Sequence, residues 1–205
     1  MIKIVPYFSQ WESRSLVGKF LTRDILPEDD PLWYQSGAAS AAEYARWSPN
    51  ICGMACLKML LAYRLNITVP LLYLVREAVK FGVYRPELGD SGMRLLYAPF
   101  VNWVNTRYAL NAEVVERTRA IAVEPLLRTG HVLIASVHPS IRHAPTITPS
   151  ARGGHLVLAF DVDRQSDEWV FHNPSGLSVE TQENVRLPRL IFEQFFANRG
   201  ILIAP

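Results

Sequence analysis

The chain has 205 residues, 49% hydrophobic and 20% charged, the balance of a globular protein with one sizeable core and not of a disordered chain. A formal net charge of +2 without any basic run argues against nucleic acid or an anionic membrane as partner. No stretch reaches the ~18 apolar residues of a membrane span, the N-terminus lacks the apolar core of a secretion signal, and two cysteines make no disulfide framework, so one cytoplasmic domain over residues 1–205 with reduced thiols is expected.

In chain order, residues 2–9 predict a short strand interrupted by Pro6. Residues 11–50 read as a long irregular excursion with short helices near 16–26 and 36–46, and Trp33, Tyr34, Tyr44 and Trp47 are expected to fix it to the body, either as packing or as a wall of a groove. Next comes a helix opening at Cys52 and running to Leu65, apolar on several faces, with Ser48 or Asn50 as cap and Pro49 suited to its entry. A second helix over 71–81 turns Arg76 and Lys80 to water, a third spans 94–107, and a strand follows over 112–115. After a short helix at 120–127 the character changes. Val132 to Val137 reads as a central strand, 155–163 and 168–173 as a hairpin, 187–198 as a helix closed by Gly200, and 201–204 as a last strand. Helices first and strands later predict an α+β fold.

The chemistry is sought at Cys52. A thiol in the first turn of a helix meets unpaired N–H groups and the positive end of the helix dipole, which lower its pKa when a cation is also near and make it a thiolate nucleophile. Gly53 behind it keeps a side chain off the approach of a substrate carbonyl. The competing readings are a buried structural cysteine and a zinc site in which Cys56, one turn further on, joins Cys52 and a histidine. A nucleophilic thiol needs a base, and His155 is the best placed of the five histidines, because it starts a strand directly after Gly153-Gly154. Asn173, at the end of the paired strand, returns beside it to hold the ring. Asp161 and Asp163 are too far along His155's own strand, and His172 alternates to the other face. The loop from His138 to Gly154, with three prolines, two histidines and two arginines, is longer than the usual ~4–6 residues, which hints at function.

Val5-Pro6-Tyr7-Phe8-Ser9-Gln10, Cys52-Gly53-Met54-Ala55-Cys56-Leu57, Gly154-His155 on an apolar strand and His172-Asn173-Pro174-Ser175-Gly176 occur in an order that resembles the C39-like cysteine peptidases, over most of the chain. The resemblance implies a papain-like fold, with the nucleophile at a helix start packed on an antiparallel sheet that carries His and Asn. It implies Cys52 as nucleophile, His155 as general base, Asn173 as orienter and Gln10 as oxyanion donor, with a peptide or peptide-like substrate and no cofactor or metal. In the bacteriocin-processing members the Gln lies a few residues before the nucleophile; here residues 11–50 intervene, and Gln35 rivals Gln10. Acyl transfer through a thioester follows, resolved by water in a peptidase or by an amine in a transferase or ligase. A non-catalytic peptide-binding protein with the same cleft is the other class.

Overall fold

A computed structural model of the chain describes residues 4–163 and 165–205. The N-terminal half supplies α1 (Val17–Thr22), α2 (Ala41–Trp47), α3 (Cys52–Leu65), α4 (Leu71–Lys80) and α5 (Tyr97–Tyr108). The C-terminal half supplies β1 (Ala112–Glu116), α6 (Ala120–Arg128), β2 (Val132–Val137), β3 (His155–Val162) and β4 (Glu168–His172). It closes with α7 (Val179–Gln182), β5 (Val185–Pro188), α8 (Arg189–Phe195) and β6 (Phe196–Ile203). The strands form one antiparallel sheet in the order β1-β6-β2-β3-β4-β5, so the expected α+β architecture is the observed one.

Strand parity divides the core. Val132 and Ile134 of β2 and Leu156, Leu158 and Phe160 of β3 face the helices α3, α4 and α5, while Leu133, Ala135, Val137, Val157 and Ala159 face α6 and α8. Both faces are therefore covered, which explains why β2 and β3 are continuously apolar instead of alternating. Helix α3 is buried without a break from Gly53 to Leu61 and lies on β3. Each of its fully buried leucines, Leu57, Leu60 and Leu61, contributes roughly 1.5–3 kcal/mol. Placing the start of α3 against the start of β3 is what builds the site.

Three expectations need correction. Of the strand expected over 2–9, Ile2 and Lys3 lie outside the described residues, and residues 4–9 pair with no strand. Side chains hold that arm instead: His172 Nε2–H donates to the Val5 carbonyl at 2.8 Å, Tyr7 Oη donates to the Asn173 carbonyl at 3.2 Å and Ser9 Oγ donates to the Pro174 carbonyl at 3.0 Å. The helix expected over 187–198 is split, because Leu187 pairs with Trp169 in β5 and the helix ends at Phe195. Gly200 is no cap; it lies within β6, opposite Ala135 and Val115. The excursion over 11–50 is ordered around Asp30, a fully buried carboxylate that accepts from Ser13 N–H, Ser13 Oγ, Leu32 N–H and Tyr44 Oη. Tyr44 and Trp47 are core residues, Trp33 is half-buried and Tyr34 is exposed, so these aromatics anchor the excursion by ordinary packing.

Candidate active site

Cys52 is the first residue of α3 and is half-buried. Neither Ser48 nor Asn50 caps the helix: Ser48–Asn50 form a 3-10 turn, Asn50 Nδ2 donates back to the Arg46 carbonyl and Ser48 Oγ is buried without a partner. The Met54 and Ala55 amides bond to the Ile51 carbonyl, and the amides of Cys52 and Gly53, together with that of Leu156 on β3, act on the thiol. Burial nevertheless dominates and pushes the Cys52 thiol above its ordinary value, against these amides and the Arg142 guanidinium, which favour the thiolate. The expected depression is therefore reversed, and the resting form is the thiol. Cys56 is fully buried, its thiol pushed well up by burial and donating to the Leu156 carbonyl at 3.7 Å. Among the described residues no group of three His, Cys, Asp or Glu side chains gathers around the two thiols as a metal site would require. Gly53 has a packing reason: a Cβ there would collide with the Leu95 side chain and press on that of Leu156.

The chain enters β3 through Gly153 (φ 84°) and Gly154 (φ 97°), left-handed conformations that glycine adopts without strain. Leu158 pairs with His172, so Asn173 continues β4 on the face that His155 occupies, while His172 turns the other way to bond Val5. His155 Nε2 lies 2.8 Å from Asn173 Oδ1. The same oxygen accepts the Ser175 backbone N–H at 3.1 Å, and because a backbone amide only donates, this contact fixes which end of the Asn173 amide is oxygen. The proton on the ring is consequently on Nε2, and Nδ1 holds the lone pair. Ser175 Oγ lies 3.1 Å from the same Nε2 and accepts from Arg142 Nη2 at 3.0 Å. Burial lowers the His155 pKa to about 4, opposed by the Asn173 hydrogen bond and reinforced by Arg142. The imidazole is neutral at physiological pH. His138 is bonded to Ser140, and His143 is exposed.

Gln10 reaches this place despite the residues between. It is buried, its backbone N–H donates to the Pro174 carbonyl at 3.0 Å, and its Nε2 donates to the Ser48 carbonyl at 2.8 Å. One residue thus ties the segment after Asn173, through its backbone, to the turn before Cys52, through its side chain. Gln35 is exposed, beside Tyr34 on the excursion.

A cleft of about 450 Å³ opens beside Gln10 and His155. Gln10, Gly154, His155, Arg142 and Ser175 line it, and the excursion adds Trp11, Phe20, Leu21, Leu26 and Pro27. The excursion does build a wall, although with residues other than the four aromatics expected to anchor it. Ser175 and Arg142 escaped the sequence reading. Ser175 carried a faint signal, since Asn followed two residues later by a backbone donor is the local pattern of an Asx turn, whereas Arg142 was marked only as one of the two arginines of the long His138–Gly154 loop.

The thiol at the helix start is thus laid on an antiparallel sheet that brings His155 and Asn173 into hydrogen-bond contact, an α+β arrangement. No protein-family model matches the chain, and no curated protein matches it. Several solved structures are similar to it, two of them as follows. One is the peptidase domain of Streptococcus ComA, a bi-functional ABC transporter involved in a quorum sensing pathway, at 14% identity over 77% of this chain and 93% of that one, with a TM-score of 0.48. The other is a Bacillus anthracis protein described as a C39-like peptidase, at 16% identity over 75% of this chain and 88% of that one, with a TM-score of 0.49.

Proposed function

We propose that the protein is a cysteine peptidase-type hydrolase that cleaves a peptide or amide bond through a thioester on Cys52. The observation that carries this reading is the 2.8 Å contact of His155 Nε2–H with Asn173 Oδ1, which leaves Nδ1 as the basic nitrogen on the residue next to Leu156, whose amide acts on the Cys52 thiol. Cys52 gives its proton to His155 Nδ1 as sulfur attacks the carbonyl carbon. The oxyanion accepts from the Cys52 N–H and from the Gln10 amide, whose Nε2 keeps one N–H beyond the bond to Ser48. The tetrahedral species collapses as the carbon–nitrogen bond breaks and Nδ1–H protonates the leaving amine; water, deprotonated by the same nitrogen, then releases the acid and restores the thiol.

Because the resting pair is thiol and neutral imidazole, proton transfer accompanies attack instead of preceding it. Two unpaired cysteines suit a reducing compartment, and we read the site as cytoplasmic. Among the described residues no helix is long and apolar enough to cross a membrane. The test is a quenched-fluorescence peptide pool: the wild type is expected to release fluorescence, and Cys52→Ala and His155→Ala are expected to release none. Undiminished release by Cys52→Ala would overturn the reading.

A further inference from the structure

The cleft holds a cation that the mechanism does not use. Arg142 sits in the 3-10 turn Pro139–His143, which is anchored by the buried Ile141, and its half-buried guanidinium lines the cleft. Its Nη2 donates to Ser175 Oγ, whereas Nε is buried without a hydrogen-bond partner. Among the described residues, the cleft is lined by Arg142, Arg23 and His155 and by no carboxylate. Burial lowers the Arg142 pKa, and with Cys52 resting as the thiol no anion offsets that cost. A desolvated guanidinium without a counter-ion is costly, and its planar fork fits a carboxylate in two parallel hydrogen bonds.

We propose that Arg142 is a carboxylate-binding residue of the cleft, selecting a substrate whose acidic side chain or free C-terminal carboxylate lies beside the carbonyl that Cys52 attacks. The substrate part rests on the peptidase reading; the carboxylate part does not. Net charge alone would not give this selectivity, because the chain carries only +2 overall and the effect comes from one guanidinium focused in a low-dielectric cleft.

The test compares alkylation of Cys52 by iodoacetate and by iodoacetamide, read by fragment-ion mass mapping so that Cys56 is distinguished. Both reagents form the same sulfur–carbon bond and expel iodide, so the thiolate fraction cancels in the ratio of their rates, and the ratio reports the carboxylate alone. The iodoacetate preference is expected to be roughly tenfold greater in the wild type than in Arg142→Gln, to survive largely in Arg142→Lys, and to shrink as salt is raised. A ratio equal in the wild type and in folded Arg142→Gln would overturn the proposal; should that variant unfold, a wild-type ratio indifferent to salt would do the same. Matched peptides with Glu or Gln beside the cleaved bond, each with a free or an amidated C-terminus, then separate the two carboxylate sources. A preserved alkylation ratio with no peptide cleaved would support the carboxylate site and fail the peptidase reading.

Discussion

Removing Asn173 should do less damage than removing the only orienter of a catalytic histidine, because a substitute is already in place. Asn173, His155 and Ser175 are all buried, and Asn173 Oδ1 takes both the ring Nε2–H and the Ser175 N–H. In Asn173→Ala the ring N–H is left with Ser175 Oγ, which stands 3.1 Å away and can accept while its own proton turns elsewhere. Turnover is then expected to fall by about 10–10²-fold, and the orphaned Ser175 amide should lower stability by about 1–3 kcal/mol. Ser175→Ala should cost only severalfold in turnover, since Asn173 still holds the ring. The double variant loses both acceptors and should approach the roughly 10⁴-fold loss seen when a catalytic imidazole is held wrongly, well beyond the product of the single effects. The assay is kcat on a fluorogenic peptide for the four proteins, with urea unfolding alongside. A double variant whose loss equals the product of the singles would refute the idea that the serine stands in.

Two further outcomes follow from the same contacts. Gln10→Ala should cost about 10²–10³-fold in kcat with KM little changed, the size of one oxyanion donor, while Gln35→Ala should be silent; the reverse pattern would move the donor to the excursion. Stability should fall with acid in a defined window: His155 stays neutral in the folded protein down to about pH 4, whereas the unfolded chain takes up a proton near its ordinary 6.5. The unfolded state therefore binds more protons between these values, and stability drops by about 3 kcal/mol as pH falls from 6.5 to 4 and then levels, with the buried His172 acting in the same sense. Urea titrations at several pH values check this, and an identical acid decline in His155→Gln would contradict it.

That His155 and Asn173 come together on paired strands was readable from the hairpin, but the face they share depends on a bulge that leaves no mark in the sequence. Continued without a break from Val162–Trp169 and Asp161–Val170, the hairpin would set Asn173 opposite Leu158, on the face away from His155; a bulge between Ala159 and Asp161 shifts the register so that Leu158 pairs with His172 and Asn173 comes to the face of His155. The Cys52 helix was readable from its apolar run, although its cap was not, because Ser48–Asn50 wind into a 3-10 turn that leaves Ile51 at the N-cap position, and Asn50 bonds backward. The protonation of Cys52 was out of reach for a different reason: amides of the first turn and burial act in opposite directions, and the Leu156 and Leu95 side chains that cover the helix start come from elsewhere in the chain. The closing of residues 11–50 left no periodic trace, since a buried carboxylate, Asp30, and single side-chain bonds do the work. In 187–198, Phe192, Phe195 and Phe196 suit a helix face and a strand start equally, and only pairing with β2 and β4 decides where one gives way to the other.

The central claim is that Cys52 forms the acyl intermediate. Acid-quenched incubation with p-nitrophenyl acetate, followed by fragment-ion mapping of the peptide that carries both thiols, measures it most directly. The acetyl group is expected on Cys52 in the wild type and on neither thiol in Cys52→Ala, whereas acetyl on Cys56, or on neither thiol of the wild type, would contradict the account.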